Sequence, residues 1–258
     1  MLSKTRLKKI TALKNKKTRD KQNLFLIEGF RLCEEAIQSD FQVHNLFVNP
    51  EAVSSANYEK LIQQASQKGI KITEIDNADV KQLADTFHSQ GIFAIIEQRS
   101  LPFESWLSES IQFLVIIDAG QDPGNIGTII RTCDWFGIDA VVLSKGSVDL
   151  YNPKLIRSTM GSIFHLPVFE NVDLTTTLPL LKKKGFTVYG ADVQGNVYFH
   201  QVSYKPPLAV ILGNENKGID RKLFQHIDYA IKIPSYGKAE SLNLALAGAV
   251  IISRIVIQ

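Results

Sequence analysis

A chain of 258 residues, 45% apolar and 21% charged, can fill one large core or two of middle size, which excludes disordered and collagen-like classes. The net charge of +3 hides a division: residues 1–22 hold nine Lys and Arg against Asp20 alone, a charge of +8, and the other 236 residues carry −5. The longest uncharged stretch, residues 241–253, falls short of the ~18 residues of a bilayer span. The basic N-terminus lacks a secretory apolar region, and two cysteines 100 positions apart suggest neither a disulfide framework nor a zinc site. The expectation is a reduced, cytoplasmic protein with no membrane span and no metal.

The arm at residues 1–22 can be a helix with Leu7, Ile10 and Leu13 on one side, or a segment that orders on a partner, and the pattern leaves both open. After it, strands are predicted over 24–27, 43–48, 70–75 and 91–97, with helices over 28–39, 58–68 and 79–87. This alternation reads as an α/β domain over 23–98. Residues 98–110, polar and containing Pro102, read as a linker, placed between the domains at 99–110. In the second domain, 111–258, the apolar run 112–117 marks a strand buried on both faces. Further strands at 140–143, 186–189, 208–212 and 229–233 alternate with helices at 126–136, 153–160, 174–184, 220–226 and 241–256, which predicts a parallel α/β sheet.

Ligands of such sheets bind beyond the carboxyl ends of the strands, so the loops that follow the strands carry the information. The first runs from Asp118 through Asn125-Ile126-Gly127 to Arg131 and Phe136-Gly137. Its glycines allow close backbone approach at a helix start, a natural anion site, and an N-capping Asn with a surface Arg reads the same residues without chemistry. Its spacing fits neither G-x-G-x-x-G nor G-x-x-x-x-G-K-[ST]. The second, Leu212-Gly213-Asn214-Glu215-Asn216-Lys217-Gly218, puts a carboxylate at the top of the sheet. The third, Ile233-Pro234 through Glu240-Ser241-Leu242-Asn243, leads into a helix rich in small residues, where Ser241 or Asn243 could serve simply as a cap.

In this order the three loops resemble the three motifs of the SpoU (TrmH-like) branch of the SPOUT RNA methyltransferases. The resemblance runs from Phe113 to the C-terminus, and Arg157-Ser158 with Gly161 and Leu166-Pro167 matches the stretch after the first motif. Asn216 departs from a common Gly and Ala245 from a common Ser. Phe25-Leu26-Ile27-Glu28-Gly29, with Arg31, Glu35 and Ala36, is similar to the opening of the family's substrate-binding domain of ribosomal-protein-L30e type. The resemblance implies a C-terminal α/β domain tied in a deep trefoil knot, an exception to the rule that chains are unknotted, beside a smaller L30e-like α/β domain. It also implies a homodimer whose active site draws on both subunits.

The implied reaction is methyl transfer from S-adenosylmethionine to a ribose 2′-hydroxyl of RNA, preferably 23S ribosomal RNA, with transfer RNA or a non-catalytic RNA-binding module as alternatives. By resemblance Asn125, Arg131, Glu215, Ser241 and Asn243 form the catalytic set, and Leu212, Gly213, Ile233, Pro234 and Leu242 hold the cofactor. A guanidinium, with a pKa above ~12, is a poor base, so Arg131 is expected to act as a fixed charge on phosphate and developing alkoxide. RNA contact is expected from the arm, through Lys4, Arg6, Lys8, Lys9, Lys14, Lys16, Lys17 and Arg19, and from Arg31, because cations near phosphates gain affinity by releasing counterions.

Overall fold

The structure, a computed structural model, describes residues 2–52, 55–100, 102–107 and 110–257. In chain order its first elements are α1 (Lys4–Thr11), α2 (Lys16–Gln22), β1 (Leu24–Glu28), α3 (Phe30–Gln38), β2 (Val43–Val48), α4 (Ser55–Gln67), β3 (Lys71–Glu74), α5 (Asn77–Leu83) and β4 (Ile92–Glu97). Then come α6 (Phe103–Trp106), β5 (Phe113–Ile117), α7 (Pro123–Trp135), β6 (Ala140–Ser144), α8 (Pro153–Thr159), β7 (Val168–Val172), α9 (Leu174–Lys183) and β8 (Thr187–Ala191). The chain closes with β9 (Val197–Tyr198), β10 (Leu208–Leu212), β11 (Tyr229–Lys232) and α10 (Leu244–Val256). Two units result: Met1–Arg99 with Tyr151–His165, and Ser100–Leu150 with Leu166–Gln258.

In the first unit a four-stranded sheet has the order β1-β4-β2-β3, with β4 antiparallel to both neighbours and β2 parallel to β3. The basic arm is folded into it. Ser3 caps α1 by accepting from the Arg6 N–H, Asn15 caps α2, and Asn23, at φ +56°, closes α2 in the left-handed region. Leu2, Leu7 and Ile10 pack with Phe47, Leu83 and Phe93 in one apolar cluster, and Leu13 is also buried. Each such side chain contributes about 1.5–3 kcal/mol on burial, which outweighs the poor intrinsic preference of so short a charged helix.

Tyr151–His165 lies far along the chain yet belongs to this unit. The Tyr151 ring stands 4.6 Å from that of Phe25, and its hydroxyl accepts from the Arg99 N–H (2.8 Å) and donates to the Arg99 carbonyl (2.9 Å). Arg157 and His165 reach Asp85 (3.3 Å) and Glu35 (3.0 Å).

The second unit is a seven-stranded, wholly parallel sheet in the order β7-β6-β5-β10-β8-β11-β9. Its central strands β5, β6 and β10 are buried at every position, as their continuous apolar runs require. One face carries Leu114, Ile116, Val142, Val188 and Ile211 in a core completed by α9, while α7 and α10 pack together elsewhere in the unit. Two late strands insert into gaps between earlier ones, β10 between β5 and β8 and β11 between β8 and β9, an order that suits a threaded path. Within the stretch read as linker, Phe103–Trp106 is helical and Phe103 and Leu107 are buried in this core. Leu101, Ser108 and Glu109 of that stretch lie outside the described residues. Two strands escape the sequence pattern, β7 and the two-residue β9, and 221–226 forms a 3-10 turn where an α-helix was expected.

Candidate active site

The site grows from three loops at the carboxyl ends of β5, β10 and β11. After β5, the Asp118 carboxylate accepts from the Asp220 N–H (2.8 Å) and the Ser144 hydroxyl (3.1 Å), and Ser144 Oγ accepts from the Ala119 N–H (2.8 Å). This lattice holds Ala119 in the left-handed region, at φ +51°, a conformation that costs about 1–2 kcal/mol for a residue with a Cβ. The chain then turns into α7, whose first N–H groups are capped by Asp122 accepting from Asn125 (2.8 Å), with Pro123 at the first helical position.

After β10 the backbone doubles back, and Asn214 and Gly218 exchange N–H···O bonds of 3.0 and 2.9 Å. Only glycine fits at 213, because a Cβ there would stand 2.3 Å from the Gly218 carbonyl carbon and 2.4 Å from the Ile219 nitrogen. The loop's own return at Gly218 therefore demands the close backbone approach at Gly213. Asn214 fastens this loop to the first, donating to the Ala119 carbonyl (2.7 Å).

That turn aims Glu215 at the start of α7. Its carboxylate accepts from the N–H groups of Gln121 and Asp122 (3.2 Å each) and from Asn125 Nδ2 (3.3 Å). Partial burial pushes its pKa up, but the backbone donors and the Asn125 amide outweigh burial and hold it below the usual carboxylate range. The third loop joins through Asn243, which caps α10 by accepting from Ala245 and Leu246 (2.9 and 3.3 Å) and donates its Nδ2 to Asn125 Oδ1 (2.9 Å). One line of hydrogen bonds, Asn243 to Asn125 to Glu215, thus ties the loops together. Gly248 seats α10 close, with its Cβ position 2.9 Å from Leu212 Cδ1 and 3.6 Å from Ile129.

Three of the five expected catalytic residues therefore meet. Arg131 and Ser241 are exposed, and among the described residues no hydrogen bond joins either to this cluster. Arg131 shares the outward face of α7 with Thr128 and with Trp135, which is 84% exposed. The supporting layer of Asp118, Asp122, Ser144 and Asn214 was not singled out from sequence, where such residues resemble ordinary turn and cap chemistry.

The sequence profile of the SpoU rRNA methylase family matches residues 112–253, and that of the MRM3-like substrate-binding domain matches residues 4–94. The chain belongs to the SpoU rRNA methylase family. It is similar to the 23S rRNA (guanosine(2553)-2′-O)-methyltransferase RlmP of Bacillus subtilis, with 37% identity over 240 residues, 93% of this chain and 91% of the relative. The structure of an AdoMet-bound rRNA methyltransferase from Sinorhizobium meliloti matches with a TM-score of 0.88 at 27% identity, covering 99% of this chain and 96% of that one. The SpoU methyltransferase AviRb of Streptomyces viridochromogenes shares the fold, with a TM-score of 0.89 at 23% identity over 99% of this chain and 98% of its own. As a SpoU methylase, the protein uses S-adenosylmethionine.

The residues assigned to that cofactor fit it. In this SpoU-family sheet β10, β8 and β11 are neighbours, so their carboxyl ends lie side by side at one edge, where ligands of such sheets bind. Leu212 is buried at the end of β10, Ile233 and Pro234 are half-buried, and Leu242 is 51% exposed, which offers apolar surface for an adenine and a methylene chain. The loop before β9 lies against β11 so tightly that a Cβ on Gly195 would stand 2.6 Å from the Ala230 carbonyl oxygen.

In the first unit the expected RNA contacts divide. Lys4, Lys8, Lys9, Lys16, Lys17 and Arg31 are exposed, although Lys16 lies 3.6 Å from Asp20. Lys14 is tied down to Asp85 (2.9 Å) and the Ala84 carbonyl (2.8 Å). Arg6 donates to Asn45 (2.9 Å) with its guanidinium over the Phe47 ring. Arg19 departs furthest from expectation, being 3% exposed with Nη1 donating to the Leu13 and Lys14 carbonyls (2.9 and 2.8 Å), so it works as an internal clamp. No helix among the described residues is long and apolar enough to cross a membrane.

Proposed function

We infer that this SpoU methylase transfers a methyl group to a ribose 2′-hydroxyl of 23S ribosomal RNA. The observation that carries the reading is the Asn243–Asn125–Glu215 line, which holds three motif loops in register at the carboxyl edge of the sheet. When bound, S-adenosylmethionine supplies an electrophilic methyl on a positively charged sulfur. The chain's own task is alignment, and orientation of reacting groups supplies much of the barrier reduction in such displacements. Leu212, Gly213, Ile233, Pro234 and Leu242 hold the cofactor, and Asn125 and Asn243 fix the start of α7 and of α10 against each other.

Arg131, two turns along α7 from Asn125, is assigned as a fixed positive charge that orients a phosphate of the target nucleotide and favours the developing alkoxide. Ser241, exposed on the third loop, is assigned to RNA positioning. Large apolar side chains stand exposed on these elements: Trp135 on α7, Leu242 in the loop before α10, and Leu246 and Val250 on α10, at 84%, 51%, 60% and 40%. Exposed apolar side chains on two helices that pack together mark an association surface. The reading is a homodimer in which a second copy covers it and completes the surroundings of Arg131. Folded with the substrate-binding unit, the exposed lysines of α1 and α2 supply sequence-independent affinity for RNA phosphates. Ribosomal RNA as substrate implies a cytoplasmic location.

The test is to incubate the protein with unmodified 23S rRNA and S-adenosylmethionine and to map 2′-O-methyl positions. One new 2′-O-methyl nucleotide is expected, and Arg131→Ala should abolish it while cofactor binding by titration calorimetry is retained. Unchanged turnover in Arg131→Ala would overturn the assignment of that residue. Modification of transfer RNA alone would overturn the assignment of the substrate.

A further inference from the structure

Phe87 is the most exposed large apolar side chain among the described residues, at 97%, and the loop that carries it is built to keep it there. Residues 84–91 join α5 to β4 and are fastened on both sides of the ring. On one side the Glu28 carboxylate accepts from the Asp85 N–H (2.9 Å) and from the Thr86 hydroxyl. The Asp85 carboxylate in turn meets Lys14 Nζ at 2.9 Å and Arg157 Nη1 at 3.3 Å, and Lys14 also donates to the Ala84 carbonyl.

On the other side the Gln90 side-chain oxygen accepts from the Phe30 N–H (2.8 Å) at the start of α3, and Ser89 Oγ accepts from the Gly91 N–H (3.2 Å). Gly91, at φ +67°, has no room for a side chain, since a Cβ would lie 2.8 Å from Ala52 Cβ. Between these anchors the Phe87 ring touches one aromatic neighbour, His88, edge to face at 4.9 Å. A loop fixed at six points around an aromatic that nothing covers forgoes burial that a small rearrangement would recover.

The surroundings say what covers the ring. Lys14 and Arg157 pair with Asp85, and Glu28 supplies a second carboxylate at the base of the loop, so the charge there is balanced. Arg31 stands exposed in the first turn of α3, next to the residue that Gln90 anchors, and no ion pair is formed by it among the described residues. The ring lies within residues 4–94, the stretch that the substrate-binding profile matches, and a flat exposed ring with the exposed cation Arg31 on the helix its loop is anchored to suits an unpaired base within its phosphate backbone.

We propose that Phe87 is a stacking residue for the substrate RNA, its ring taking the face of one unpaired base while Arg31 faces a flanking phosphate. This deepens the RNA methyltransferase reading and rests on it. It places a contact with the substrate on the first unit, outside the three motif loops.

The experiment uses the full chain with in-vitro-transcribed, unmodified 23S rRNA. For Phe87→Ala the dissociation constant and the KM for RNA should each rise about tenfold, the scale expected for losing one base–aromatic stack. The affinity for S-adenosylmethionine and the melting temperature should match the wild type. Phe87→Tyr and Phe87→Trp should restore RNA affinity, and Phe87→Leu, apolar but without a π face, should not. In Phe87→Trp the added fluorescence should be quenched by single-stranded transcript and unaffected by a blunt duplex. RNA affinity unchanged in Phe87→Ala, or rescue by Leu as complete as by Tyr, overturns the proposal. A wild-type protein that binds the transcript without methylating it overturns the parent reading instead, and the binding comparison among Phe87 variants still decides the stacking role.

Discussion

Glu215→Gln keeps the size of the side chain and removes its charge, which isolates what the carboxylate does. The native carboxylate accepts three donors, Gln121 N–H and Asp122 N–H at 3.2 Å and Asn125 Nδ2 at 3.3 Å. A Gln amide has one oxygen, so it can keep the Asp122 and Asn125 donors but turns its own NH2 toward the Gln121 N–H. Hydrogen bonds to an ionised acceptor contribute about 1.5–3 kcal/mol when shielded and about 1 kcal/mol when neutral. The contacts here are long and the side chain is half-exposed, so the expected loss is about 1–2 kcal/mol at neutral pH. The folded-state pKa of Glu215 lies below its ordinary value of 4.5, so its stabilisation is full above that value and is lost as pH falls through the folded value. The gap between wild type and Glu215→Gln should therefore begin to narrow below the ordinary value of 4.5 and close once the pH passes below the folded value. Both tryptophans, Trp106 and Trp135, lie in the second unit, so thermal unfolding followed by tryptophan fluorescence reads that unit alone. A drop of roughly 3–7 °C at neutral pH, vanishing in acid, is expected. A drop of the same size at all pH values, or none at neutral pH, would refute the reasoning.

Other substitutions probe the remaining joints. Gly213→Ala should cost more than 2 kcal/mol, about the sum of the two Asn214–Gly218 hydrogen bonds it forces apart, and should abolish cofactor binding. Gly218→Ala, whose added methyl meets open space at φ +68°, should cost about 1–2 kcal/mol and spare it, with calorimetry and denaturation as the readouts. Arg19→Ala should destabilise the first unit by about 2 kcal/mol or more through the loss of two buried hydrogen bonds, measured by denaturant midpoint. The pair Lys16→Ala and Lys17→Ala should leave stability within about 0.5 kcal/mol and flatten the salt dependence of RNA binding. Leu246→Asp should convert the protein to a monomer by sedimentation and reduce methyl transfer, and a dimer unchanged by it would exclude this face as the interface.

The central strands were legible because burial on both faces leaves an unbroken apolar run in the sequence, as in β5 and β10. Edge strands were not: β7 has two exposed residues in succession and so breaks the two-residue alternation, and β9 has two residues, too few for any period. Asn125, Glu215 and Asn243 could be picked from their motifs because their loops follow strands in order. Asp118, Ser144 and Asn214 could not, since their partners lie tens of residues away and locally they look like turn residues. The arm shows a different limit. Its Leu7–Ile10–Leu13 stripe was visible, but whether that stripe found a core depended on Phe47 and Phe93, far along the chain. Its net charge also overstated its solvation, because Arg19 turns inward. Deleting residues 1–22 would therefore remove core along with charge, so point substitutions of exposed lysines are the cleaner probe of RNA affinity.

The excursion of Tyr151–His165 into the first unit bears on the order in which the protein is made. The N-terminal sheet is spelled out by residue 97, yet its Phe25 partner, Tyr151, and the Arg157 that shares Asp85 emerge only after β5, α7 and β6 have been translated. During synthesis the first unit must wait, with that flank of β1 uncovered, while two of the seven strands of the second sheet leave the ribosome. A nascent chain halted at residue 110 should be more readily digested by protease than one halted beyond residue 200, although both contain the whole four-stranded sheet.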